Sequence, residues 1–542
     1  MKKIKRISAI LLTLTFILAF CSACVGDGGN SAVSGNGTNA NNSAGGVLSP
    51  GEVVQPPEGE DVRFADLIDI IPELPVSVID PLNPGAAFAA VLLIYGCIFD
   101  RLIERTDDGD FVPGLASSWE TGDMQTYTFN LRDDVYFHNG DKFTAQDVID
   151  TFMLIREAPG TQAFDLWRNV DSVTAIDEHT VRIVLNAVNA DFLYGLSLPG
   201  AGFVLNKAAR EADPISGAWV GTGAFYVSDF ASSEHTMLTR NEDYWGIAPL
   251  TKQLYLHFVP EIAARALMLL NGESDVCGGI GTEDLDMFVA DPNFTVYRII
   301  ANSVHNLAFS MIDPITGDLN FRKAVAYALD RNEICTVAVG DWGLPVTDGA
   351  IWGDTTPFRN TGIPLLPYDL DLARQYLDAS VYNGEEIEIV CADGALLLSA
   401  QMIQEQLGRI GIDIKVSLLD PLTLMSRSMY GSDQVQIVHF VSPFDLSASS
   451  ARGIFYAGAG ANRASYNNPA VNELLDLVPT IADPEERGEI YRQIQEIVAE
   501  DMPYINLYYR MQSVVASSDV GGIIVNADMY YDFRSIFKVL DD

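Results

Sequence analysis

One uninterrupted run, "SAQMIQEQLGRIGIDIKV" at 399–416, changes its apolar period partway along. Ile403, Leu407 and Ile410 recur at the spacing of one helix face, and Gly411 then stops the helix. Immediately afterwards Ile412, Ile414 and Val416 alternate with Asp413 and Lys415, which is the period of a strand. A helix that feeds a strand directly is the half-unit of an α/β sheet, so an α/β fold is expected. Other segments agree. Tyr127, Phe129 and Leu131 share one strand face, as do Val181, Ile183 and Leu185. Between them Thr144 and Asp147 read as a capping box ahead of the helical stripe Val148, Phe152 and Ile155. Near the C-terminus Asp483 caps a helix that begins at Pro484 and buries Ile490, Ile494 and Ile497.

The chain opens differently. Lys2, Lys3, Lys5 and Arg6 precede an apolar run from Ile7 to Phe20, in the order and length of a secretory signal. That run is shorter than the ~20 residues a spanning helix needs. Ser22 and Ala23 before Cys24 then resemble the lipobox of bacterial lipoproteins, in which the cysteine becomes the lipidated first residue, although Cys21 stands where Leu is usual. The alternative, a C-x-x-C redox or metal pair at Cys21 and Cys24, lacks both a βαβ frame and a second pair. Residues 25–60 are rich in Gly, Ser and Asn and are expected to form a flexible tether.

Roughly 480 residues remain after leader and tether, enough for two or three domains of ~100–200 residues each. Their surface is acidic, because 73 Asp and Glu against 33 Lys and Arg give a formal net charge of −40. Such a surface repels phosphate backbones and anionic head groups, which argues against a nucleic-acid partner. Cys97, Cys277, Cys335 and Cys391 match no zinc spacing and are expected as buried free thiols, with a single bridge as the alternative.

Motifs for chemistry are missing where they would be needed. "GLSLPG" at 195–200 has Pro199 in place of the second Gly of a nucleophile elbow, and "GAWVGTG" at 217–223 lacks the Lys of a phosphate loop. The 6 histidines never fall at H-E-x-x-H or H-x₃₋₅-H spacing. An extracellular hydrolase would need a nucleophile and base in mutual reach, and no motif nominates a pair.

Several blocks together resemble the large extracytoplasmic solute-binding proteins of ABC importers, the family of oligopeptide-, dipeptide- and nickel-binding proteins. They are "PGLASSWE" (113–120), "YTFNLRDDVYFHNGDKFTAQDV" (127–148), "GTGAFYVSDF" (221–230), "RNEDYWG" (240–246), "NGESDV" (271–276), "FRKAVAYALDRNEI" (321–334), "IQEQLGRIGIDIKV" (403–416) and "MPYINLYY" (502–509). The resemblance runs from about residue 62 to the C-terminus. It implies two lobes closing like a Venus flytrap, with an additional domain in the N-terminal lobe. The implied divisions are a signal peptide (1–23), a lipidated tether (24–60), a lobe I core (61–85 with 200–305 and 510–542), the additional domain (86–199) and lobe II (306–509), with hinge crossings near 305–311 and 505–511.

It further implies a monomer on the outer face of the membrane, held by lipid at Cys24. The protein would deliver a solute to permease subunits, catalyse nothing and need no cofactor. The positions implied for the cleft are Asn83, Gly85, Tyr95, His305, Asn306, His439, Phe444, Asp445 and Tyr508. Peptide binders of the family carry an Asp beside a Trp in the last of these loops, to pair with the ligand α-ammonium. Here Phe440 stands where the Trp is expected, and Asp445 is displaced by about two positions. A peptide is the expected ligand; an oligosaccharide, or a metal chelate held by His305 or His439, is the alternative. An adhesive or chaperone role would keep the fold without a closable cleft.

Overall fold

The computed structural model describes residues 47–540 except 49–52, 58–61, 84–90, 107–109, 160, 353–357, 393, 421–422, 425–426, 428–432, 442–447 and 526–530. The leader, Cys24, Gly85, Phe444 and Asp445 lie outside the described residues.

A 12-stranded mixed sheet runs through the molecule. At its centre are two unusually long antiparallel strands, Phe294–Phe309 and Tyr504–Ser517. Strands ordinarily stop at about ten residues; these two are longer because each serves two lobes. Their first and last parts have different neighbours. In one lobe Ser303–Phe309 pairs with Val435–Val441, which is followed outward by Ile387–Cys391 and Ile414–Leu418, both parallel. In the other lobe Val514–Ala516 pairs with Val276–Gly278, then come Leu67–Ile71, Gln253–His257, His235–Arg240 and Phe225–Ala231.

Register breaks twice where the long strands pass from one set of neighbours to the other, between Ile300 and Val304 and between His305 and Asn306. Bulges of this kind bend a strand and raise its local twist. The side chains sort accordingly into separate cores. Ile70, Leu254 and Val514 belong to one, while Leu307, Phe309, Ile389, Ile403 and Leu407 form another on one face of the second lobe's sheet. On that sheet's opposite face Ala308 and Tyr504 pack with Tyr491 and Ile494 of the helix Pro484–Asp501.

A separate four-stranded antiparallel sheet, Ala116–Thr121, Thr126–Leu131, Thr180–Leu185 and Val170–Asp177, packs into the first lobe's core through Tyr127, Phe129 and Ile183. The helix Ala145–Arg156 joins it with the expected capping box at Thr144 and Asp147, and buries Val148, Phe152 and Ile155. The helix Ala395–Gly408 ends as the sequence requires, with Gly411 at φ +90°, and the chain enters Ile414–Leu418 with Ile412 and Ile414 buried. Asp483 accepts from the Glu486 amide ahead of Pro484; Ile490 and Ile494 are buried, Ile497 is half-buried, and Val498 fills the next core position.

The tether departs from the flexible coil expected through residue 60. Val47 and Leu48 form a parallel strand against Val296 and Tyr297, and the Val54 carbonyl accepts from the Gly522 amide at 3.1 Å. The cause is local: "VLSPGEVV" at 47–54 carries four apolar residues that the Gly/Ser/Asn-rich average over 25–60 conceals.

Candidate ligand-binding cleft

Where the two long strands meet, His305 is the register partner of both His439 and Tyr508. The His305 and Tyr508 rings stack with centroids 4.8 Å apart and planes 11° apart. Both are buried, on the face that also carries Leu307 and Phe309. The Tyr508 hydroxyl meets Ser399 Oγ on the helix Ala395–Gly408 at 3.0 Å, and burial pushes its pKa up to about 12. Alternation places Asn306 on the opposite face. Its Nδ2 donates to the Val304 carbonyl at 3.3 Å, while its buried Oδ1 has no hydrogen-bond partner among the described residues. For His439 the strand is described and the side chain is not.

Asn83 and Tyr95 sit in the other lobe. Asp80 opens a turn in which its carbonyl accepts from the Asn83 amide at 3.0 Å and its carboxylate from the Leu82 amide at 2.9 Å. Arg210 holds the same carboxylate through Nη1 at 2.9 Å and Nη2 at 3.3 Å. Tyr95 is buried nearby, and burial together with the Asp80 charge drives its hydroxyl pKa well above the ordinary range. Asn83 also lines a cavity of about 310 Å³ shared with Ser77, Ile79, Asp80, Trp219 and Phe230. The candidates thus fall into two groups, Asn83 with Tyr95 in one lobe and His305, Asn306, His439 and Tyr508 in the other.

Two features at the crossing have no counterpart among the sequence candidates. Tyr509 points away from Tyr508, and its hydroxyl accepts from Arg359 Nη2 at 3.0 Å while the same nitrogen donates to Asp348 at 2.9 Å. Adjacent tyrosines in a strand must face opposite sides, and that is the signal in "INLYYRM" that marks Tyr509. Trp342, on the turn after the helix Arg331–Val339, enters the first lobe's core beside Phe288 and Val296 and donates to Asp286 at 3.2 Å.

The blocks that carry the family resemblance are scaffold. His138 Nε2 donates to the Gly223 carbonyl at 3.0 Å and Nδ1 accepts from the Gly221 amide at 3.2 Å, an arrangement that fixes a neutral ring. Burial lowers its pKa to about 4. A Cβ at Gly221 would meet the Ile98 carbonyl at 1.9 Å, so the "GTG" glycines allow backbones to touch and cradle no phosphate. Among the described residues Cys97, Cys277, Cys335 and Cys391 are buried and not joined by disulfides, and burial pushes the Cys97 thiol up to about 12, which makes it unreactive. Among the described residues no group of three or more His, Cys, Asp or Glu is placed to hold a metal.

Comparison with known proteins agrees with this architecture. The family model for bacterial extracellular solute-binding proteins, family 5 Middle, matches residues 110–455. The nickel-binding periplasmic protein of Escherichia coli (strain K12) is 25% identical over 477 residues, covering 83% of this chain and 90% of that one. Di/tripeptide-binding protein 4 of Pseudomonas aeruginosa (strain UCBPP-PA14) is 26% identical over 471 residues, covering 79% and 87%. Among solved structures, the ABC transporter-associated periplasmic binding protein DppA from Helicobacter pylori, in complex with peptide STSA, superposes with a TM-score of 0.76 at 23% identity, covering 88% of this chain and 98% of that one. NikA from Staphylococcus aureus in complex with Ni(L-His)2 gives 0.75 at 19% identity, covering 88% and 100%. These relatives are named or crystallised as binding proteins, and this protein is not an enzyme. The two-lobed α/β fold and the family match together make the chain a member of the bacterial extracellular solute-binding proteins, family 5, the solute-binding components of ABC importers.

Proposed function

We propose that the protein is a lipid-anchored monomer that captures a peptide between its lobes and delivers it to the permease subunits of an ABC importer. The observation that carries this reading is the pair of long strands, Phe294–Phe309 and Tyr504–Ser517, that join the lobes through register breaks at 300–304 and 305–306. Those breaks are the hinge, a few residues nearer the first lobe on one strand than 305–311. Closure is a population shift driven by ligand contacts to both lobes. In this reading Asn83, Gly85, His439, Phe444 and Asp445 meet the ligand, while His305, Asn306, Tyr508 and Tyr95 support the walls behind them. Di/tripeptide-binding relatives and the peptide-bound structural neighbour favour a peptide.

A nickel-binding relative and the register pairing of His305 with His439 give the metal chelate its own support. Mass spectrometry of what co-purifies with the protein, followed by calorimetry with peptides and with nickel–histidine, separates the two. Heat with the chelate and none with any peptide overturns the peptide reading. The anchor is tested separately: Cys24→Ala is expected to release the protein or leave its leader attached, and normal processing with full membrane retention would remove Cys24 from that role.

A further inference from the structure

Asp191 and Arg487 belong to different lobes and touch. Asp191 precedes the helix Phe192–Ser197, whose Phe192 packs on Tyr127 of the first lobe's core with ring centroids 5.2 Å apart. Arg487 is in the first turns of the helix Pro484–Asp501, whose Tyr491 is in the second lobe's core. Arg487 Nη1 reaches Asp191 Oδ1 at 3.3 Å, with the two side chains only 16% and 12% exposed. Beside them the Ala190 amide donates to the Pro479 carbonyl at 3.1 Å, a backbone bond between the same two lobes.

The chemistry of the pair suits a contact that opens and closes. An arginine near a helix N-terminus opposes the positive end of the helix dipole, whereas an aspartate brought up to that end is favoured by it. The helix end therefore favours the approach of Asp191 while it disfavours Arg487 itself. The Arg487 Nε, moreover, is buried without a hydrogen-bond partner among the described residues, so the pair stays incompletely satisfied. A buried pair of that kind adds little permanent stability, because desolvation offsets much of the attraction. It can bias an equilibrium between lobe positions without locking it.

We propose that Asp191 and Arg487, with the Ala190–Pro479 bond, form a latch that holds the lobes together, so that the ligand-free protein already populates the closed form. The inference rests on the lobes moving relative to each other but not on the identity of the solute. A closed form populated in advance lowers the affinity lost to conformational selection, since apparent Kd is the intrinsic value divided by the competent fraction.

The test uses no ligand, so the peptide reading can fail without affecting it. Cysteines at the exposed positions Met153 in the first lobe and Val381 in the second take a dye pair selectively, because the described native thiols are buried. Single-molecule energy transfer on the full mature chain in detergent is expected to show a closed population in wild type. Asp191→Asn or Arg487→Gln should reduce that population about tenfold, within the usual range of coupling between sites. The charge-swapped pair Asp191→Arg with Arg487→Asp should restore it. Distributions unchanged in the single variants, or a folded swap that restores nothing, overturn the latch. Should a single variant fail to fold, wild type decides alone, because a ligand-free protein found only open also overturns it.

Discussion

The His305 imidazole lies flat on the Tyr508 ring, 4.8 Å away, at the point where the two lobe-joining strands change neighbours. The pair couples one crossing strand to the other through side chains where their backbone register is broken, and Ser399 holds the tyrosine hydroxyl from the adjacent helix.

A double-mutant cycle with His305→Ala and Tyr508→Leu, read by urea unfolding, should therefore give a coupling of about 0.5–1.5 kcal/mol, the range of stacked ring pairs. Tyr508→Phe keeps the ring and loses only the Ser399 bond, for about 1 kcal/mol. Strict additivity in the cycle would make the stacking incidental.

Asp100 offers a pH test of the first lobe. It is fully buried and accepts from Thr222 Oγ1 at 3.0 Å, Trp245 Nε1 at 2.7 Å and the Tyr244 hydroxyl at 3.1 Å. Burial, partly offset by the Trp245 bond, raises its pKa to about 6. The folded state then holds the proton more tightly than the unfolded chain, whose Asp titrates near ~4. Its contribution is present in full below about pH 4 and is lost as pH rises through about 6. Stability of wild type relative to Asp100→Asn should fall by on the order of 2 kcal/mol across that window. Parallel pH profiles for the two proteins would show that Asp100 does not titrate there.

Much of this fold is legible in local sequence patterns. Gly411 ends a helix at a left-handed angle because glycine meets no Cβ penalty there, and Thr144 and Asp483 cap helices through bonds a few residues long. The period-two strands need only alternation. What stays hidden is long-range. Asp191 and Arg487 stand 296 positions apart and each reads alone as a surface charge. Arg359 reaches Tyr509 across 150 positions, and Trp342 enters the first lobe's core although the helix just before it, Arg331–Val339, packs in the second. The cleft candidates come from resemblance rather than from any spacing, because a ligand-binding loop carries no period of its own.

The docked tether gives a third test. Val47 and Leu48 cover the strand edge at Val296 and Tyr297 that would otherwise lie unpaired, a few residues before the register break between Ile300 and Val304. Replacing both with proline removes the amides such pairing uses. Hydrogen exchange in a peptide spanning 294–300 should accelerate, with global stability lowered by no more than about 1–2 kcal/mol. Unchanged exchange across 294–300 would mean that the strand contributes no protection there.

The last prediction concerns Asp445, proposed as the ammonium partner of a bound peptide. On entering a closed cleft an α-ammonium loses its water, and a buried unpaired charge costs several kcal/mol, so a fixed carboxylate has to be within reach. The net charge of −40 cannot substitute, because a diffuse surface field is screened over about 8–10 Å at physiological salt. Asp445→Asn keeps shape and deletes the charge. It should weaken a free-amine peptide by the roughly 2–5 kcal/mol typical of a truncated buried charge pair, yet scarcely affect the same peptide N-acetylated. Calorimetry on both ligands reads the difference directly: equal losses would assign the ammonium to another residue, and the acetylated control separates a lost charge from a misfolded loop, which would weaken both alike.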